Sequence, residues 1–156
     1  MSEPGKRSVS FLEFEKVIQE LPGQQAWRSN AGSGTGSIFT MEFKAALQSD
    51  VPQSEFSLMV YCAWRIVEPG RVLCTWQEDA DSSLAPALKK LEGVPVTSAV
   101  LTEWGDLTVG FANGSSLHIW NDAPFKDDDS WFIGYSGLGY YSVATPNTFF
   151  YEPEVY

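Results

Sequence analysis

The stretch that most constrains what this chain can fold into runs from Val94 to Asp122. Leu107, Val109 and Phe111 alternate with Thr108 and Gly110, and Leu117 and Ile119 flank His118. That is the period-two pattern of half-buried strands. Trp104-Gly105-Asp106 and Ala112-Asn113-Gly114-Ser115 break the pattern with residues that accept a turn, and Asn-Gly between alternating runs is a strong hairpin signal. The spacing predicts three consecutive antiparallel strands near 95–103, 106–112 and 115–120. None of them carries an evident reaction centre.

Elsewhere, Phe11, Phe14, Val17, Ile18 and Leu21 recur at helical spacing behind a Ser10/Glu13 capping box, and Pro22-Gly23 ends the run. Short strands are expected around 26–29 and 37–44. Phe56 to Val67 is apolar on both faces and reads as one long central strand. Glu68-Pro69-Gly70 turns it into a strand at 71–76. A second helix is expected with Leu84, Leu88 and Leu91 on its face, ending at Gly93. Trp131 to Tyr135 reads as a last good strand, and the aromatic tail from Gly137 to Tyr156 reads as either a further edge strand or an irregular wrap. The expected fold class is α+β: a mostly antiparallel sheet with two helices packed on one side.

The two halves answer each other. Leu21-Pro22-Gly23 matches Leu91-Glu92-Gly93, Ile38–Phe43 matches Leu107–Phe111, Leu58–Trp64 matches Leu117–Trp120, and Val72–Trp76 matches Trp131–Tyr135. This is either a duplicated αββββ unit or convergent local patterning. With 156 residues, a single domain with one core is expected, residues 1–9 being frayed.

Charge narrows the function classes. Twenty acidic residues against ten basic ones give a formal net charge of −10, which opposes binding to nucleic acid or anionic lipid and favours a basic partner. The surplus lies in the second half, where Lys89, Lys90 and Lys126 are the only bases. No apolar run reaches membrane-spanning length, and the N-terminus lacks a signal-type apolar segment, so a cytoplasmic location is expected.

Catalytic and metal readings find little support. The Gly-rich Ala31–Ser37 loop precedes a strand pattern rather than a helix, so it lacks the setting of a phosphate cradle. His118 is the only histidine, and Cys62 and Cys74 sit in apolar runs that raise a thiol's pKa; the two could face each other across a hairpin, but free thiols are expected. Glu103 and Asp106 flank a turn as solvated carboxylates. Asp127-Asp128-Asp129 lacks the spacing of a calcium loop, and one histidine with two separated cysteines cannot supply a zinc site. No cofactor and no metal are expected.

A surface remains. Glu78, Asp79 and Asp81 form one acidic loop, and Asp122, Asp127, Asp128 and Asp129 form another. Trp76, Trp120 and Trp131 lie beside them in sequence. This is either a docking surface with Trp131 as an anchor, or core tryptophans with acids that keep the chain soluble.

The segment from Leu58 to Ile66, together with Gly105-Asp106-Leu107, Phe111, Asn113-Gly114 and Leu117 to Trp120, resembles small bacterial immunity proteins of polymorphic toxin and contact-dependent growth inhibition systems. The resemblance spans about residues 36–135 and rests on structural positions. It implies a non-enzymatic α+β protein that masks a cognate toxin, and an acidic surface suits a basic nuclease. The alternative from the sequence is a structural domain that self-associates through edge strands and the aromatic tail.

Overall fold

The computed structural model describes residues 7–30, 38–45, 56–75, 85–122, 129–135 and 138–153. Among them are twelve strands and two short helices. The strands are β1 (Arg7–Ser8), β2 (Gln24–Asn30), β3 (Phe39–Ala45), β4 (Phe56–Val60), β5 (Trp64–Glu68), β6 (Arg71–Thr75), β7 (Val96–Leu101), β8 (Leu107–Phe111), β9 (Ser116–Ile119), β10 (Asp129–Tyr135), β11 (Gly139–Ala144) and β12 (Thr148–Pro153). The helices are α1 (Phe11–Ile18) and α2 (Ala85–Lys89).

The strands form two antiparallel sheets, ordered β1-β12-β11-β10-β4-β3-β2 and β6-β5-β9-β8-β7. Their inner faces share one apolar core, and Phe39 of one sheet meets Trp64 of the other edge-on at 4.9 Å. The expected α+β class is therefore corrected to a mostly β, two-sheet architecture. Nor do the helices share one side of a sheet. Phe14 of α1 packs on Trp131 and Tyr141 of the larger sheet, while Gln19, capping α1, reaches Ala99 of β7 in the smaller one. Just beyond α2, Gly93 bonds to Ala26 of β2 in the larger sheet.

Local signals account for many element boundaries. The Ser10 hydroxyl accepts the Glu13 N–H at 3.1 Å and starts α1. The meander forms as β7, β8 and β9, with Gly105 and Gly114 at positive φ in its turns. The run Phe56–Val67, expected as one strand, is two. Phe56, Leu58 and Val60 belong to the larger sheet and Trp64 and Ile66 to the smaller. The chain changes sheets at Tyr61–Ala63. Cys62 is buried in this crossover while Cys74 lies in β6 opposite Ile66, and neither forms a disulfide.

The crossover recurs in the second half. Strands β2-β3-β4 continue into β10-β11, and β7-β8-β9 continue into β5-β6. Each half thus contributes a helix and three strands to one arrangement, then sends its next two strands into the other sheet. The equivalence extends to single bonds. Gly23 N–H donates to Val96 O, and Gly93 N–H to Ala26 O. Gln19 Nε2 donates to Ala99 O, and Lys89 Nζ to Ser29 O. Bulges fall between Ala26 and Arg28 and between Val96 and Ser98. Every one of these partners is 70 residues from its counterpart, and Gln25 bridges Pro95, its own equivalent. The unit is thus an αβββββ element interleaved about a pseudo-twofold axis. The duplicated αββββ unit, one of the two readings of the sequence, is corrected accordingly. Topology also matches Trp131 to Trp64, since Trp131 sits opposite Val60 and Trp64 opposite Ile119 at the ends of β4 and β9.

Residues at both termini also join the sheet. Arg7 and Ser8 pair with Tyr151 and Phe150 of β12, and the tail supplies β11 and β12 within the larger sheet.

Candidate functional site

Of the acidic residues singled out in the sequence, Glu78, Asp79, Asp81, Asp127 and Asp128 lie outside the described residues, as does Trp76. Asp122 is exposed, and its Oδ1 accepts the Ala63 N–H at 3.0 Å. Asp129 is half-buried at the start of β10.

Trp131 is not a surface anchor. It is fully buried, because β10 runs between β4 and β11 with alternate residues turned to the core. Its ring meets Phe14 edge-on at 5.5 Å, and its indole N–H donates to Gly105 O at 2.8 Å. Trp120 is half-buried on the outer face of the smaller sheet, stacked on His118 and covered by the Arg65 guanidinium at 5.1 Å.

Among the described residues the exposed tryptophan is Trp104, with 69% of its surface accessible. It sits on the β7–β8 turn beside exposed Glu103. Gly105, at φ +88, makes the turn tight: a Cβ there would lie 2.5 Å from Val143 Cγ1. That signal was present in the sequence, where Glu-Trp-Gly-Asp placed a tryptophan at a turn, but proximity to the acidic run favoured Trp131.

Asn121 holds this corner together. Its N–H donates to Asp106 Oδ1 at 2.9 Å, and its side-chain amide donates to Trp104 O at 2.9 Å and Ala144 O at 3.2 Å. The Ser130 hydroxyl donates to Asn121 Oδ1 at 2.5 Å. Asp122 follows Asn121 and Asp129 precedes Ser130, so both ends of the acidic segment 122–129 are pinned beside Trp104. The site the sequence placed around Trp131 is thus re-centred on Trp104, with Glu103, Asp106, Asp122 and Asp129 as its described carboxylates.

Cys62 and His118 are candidate side chains for covalent chemistry. Burial, reinforced by the charges of Asp122 and Asp106, pushes the Cys62 thiol far above its usual range, which suppresses the nucleophilic thiolate. The His118 imidazole lies 2.9 Å from Ser116 Oγ and 3.4 Å from Thr108 Oγ1. Burial, then the Arg65 charge, lowers its pKa. Among the described residues, no three histidines, cysteines or carboxylates gather as a metal site, and no helix is long and apolar enough to cross a membrane.

No protein-family model matches the chain, and no curated protein or solved structure matches it.

Proposed function

We propose that this chain acts by binding: it is an immunity-type protein that captures and masks a basic protein toxin, a nuclease domain, in the cytoplasm of the cell that makes it. The observation that carries the reading is Trp104, exposed beside Glu103 on a turn whose backbone Asn121 ties to both ends of an acidic segment, on a chain of net charge −10. A rigidly mounted exposed tryptophan is the kind of side chain that dominates binding energy at interfaces. Surrounding carboxylates speed capture of a positively charged partner and can stand where a nuclease would hold substrate phosphates. The likeness to immunity proteins in the sequence supports the same reading. Self-association through the aromatic tail is less favoured, because β11 is paired on both sides and Arg7–Val9 already cover Phe149–Tyr151 of β12.

The test uses a toxin domain encoded by a neighbouring reading frame and follows association by stopped flow. Reversing Asp127, Asp128 and Asp129 to Lys is expected to slow association about tenfold or more and to flatten its salt dependence. Trp104→Ala is expected to speed dissociation by about 30-fold or more. Wild-type rates in both variants, or no complex at all, would overturn the proposal.

A further inference from the structure

The outer face of the seven-stranded sheet departs from what an acidic chain ordinarily shows to water. Strand register aligns one row as Thr40, Met59, Phe132, Ser142 and Phe150, and the next as Glu42, Ser57, Gly134, Tyr140 and Glu152. Apolar and aromatic groups occupy the middle strands, and a carboxylate stands at each end of the second row.

The aromatic groups are fixed in place. The Tyr140 ring lies over Gly134, where an added Cβ would come within 3.0 Å of it. It meets Phe132 edge-on at 5.8 Å, and Phe132 lies 6.1 Å from Tyr61. The Tyr61 hydroxyl is 2.9 Å from Met59 Sδ. Tyr61 and Tyr140 nonetheless each keep 43% of their surface exposed. Rings held this way lose little conformational freedom when a partner covers them.

The face is also connected to the Trp104 corner. Tyr61 N–H donates to Ser130 O, the Ser130 hydroxyl donates to Asn121, and Asn121 donates to Trp104 O.

We propose that this face is the remainder of the partner's footprint, and that what it takes is arginine side chains on a basic protein. This rests on the basic-partner reading above and adds the surface and the chemistry. A guanidinium can stack on the exposed Tyr140 ring while pairing with Glu152, its cross-strand neighbour, a combination lysine meets less well. The chain already stacks its own cations on rings, Arg7 over Tyr151, Lys44 over Trp27 and Arg65 over Trp120, at 5.0, 5.0 and 5.1 Å, and Arg7 does so while paired with Glu13. A second copy of the chain is a poor occupant, because two bodies of charge −10 repel.

The probe is an alternating Arg-Gly peptide titrated into the full chain at near-physiological salt, with Lys-Gly and Asp-Gly peptides for comparison and ring resonances followed by NMR. Saturable shifts at Tyr61, Phe132 and Tyr140 are expected, stronger for Arg-Gly than for Lys-Gly. Tyr140→Ala and Tyr61→Ser should each weaken binding about tenfold. Val100→Ser, on the opposite sheet, should bind as wild type. Saturable binding confined to Trp104 and the acidic segment would overturn this footprint and leave the basic-partner reading intact. No binding, or equal binding of the Asp-Gly peptide, would remove both. A dimer seen by sedimentation and lost in Tyr140→Ala would assign the face to a second copy and overturn the proposal.

Discussion

Where the first half of the chain places Met59 and Tyr61 on an outer sheet face, the second half places His118 and Trp120, and where the second half crosses over with Phe132, the first crosses with Arg65. These positions are equivalent by register, yet one face holds a sulfur–aromatic cluster and the other a cation stacked on an indole beside an imidazole. Inward-facing equivalents differ far less. Met41 and Val109, Leu58 and Leu117, Ile66 and Ile133, and Trp64 and Trp131 are all fully buried apolar residues. The interior must satisfy one close-packed volume, so its side chains are limited to apolar residues of suitable size. The outer faces are free of that demand and can diverge.

The strongest way to break this equivalence is at the crossing tryptophans. Trp64→Ala and Trp131→Ala each remove a fully buried indole, and urea denaturation should register about 3–5 kcal/mol at either site. Trp131→Phe should still cost about 1–3 kcal/mol, because Gly105 O loses its buried donor. A loss under about 1 kcal/mol for either Ala variant would mean that the two crossovers do not do the same structural work. A smaller, sharper test lies at Gly23 and Gly93. Both have positive φ, +94 and +83, with nothing within 4 Å of an added Cβ. Alanine at each should cost about 1–2 kcal/mol through backbone conformation alone. Equal losses in thermal or urea melts support the equivalence; a difference larger than the cost itself breaks it.

The sequence made the individual strands legible better than their assembly. Alternation and Asn113-Gly114 located the meander because a hairpin is a local structure with its own turn chemistry. Alternation also hid the change of sheets. Phe56, Leu58, Val60, Cys62, Trp64 and Ile66 are all buried and all two residues apart, so the inward pattern passes through the crossover without a break. Nothing local distinguishes one long strand from two strands in opposite sheets. The matched Leu-x-Gly helix ends are readable, but residue spacing matches β6 to β10 where topology matches it to β11, because the second half spaces its crossing tryptophan farther from the preceding strand. For the candidate site, charge gave the acidic segment, while solvent exposure chose between Trp131 and Trp104. Exposure depends on what packs opposite, and Phe14, which covers Trp131, is remote in sequence.

The weakest effect separates the two outer faces by pH. Burial, then the Arg65 charge, holds the His118 imidazole below its usual pKa, whereas its equivalent Met59 does not titrate. As pH falls below about 6.5, the unfolded chain takes up a proton that the folded chain resists. This contribution to stability is therefore retained above that value and declines as pH drops toward the folded pKa. Partial exposure of the ring keeps the decline small. NMR titration should show the His118 midpoint below 6.5, and Arg65→Gln should raise it only part of the way, because burial persists and is the larger cause. Full return to the usual value in Arg65→Gln would make charge the main cause, whereas a wild-type midpoint would place the guanidinium away from the imidazole and undo the contrast drawn between the faces.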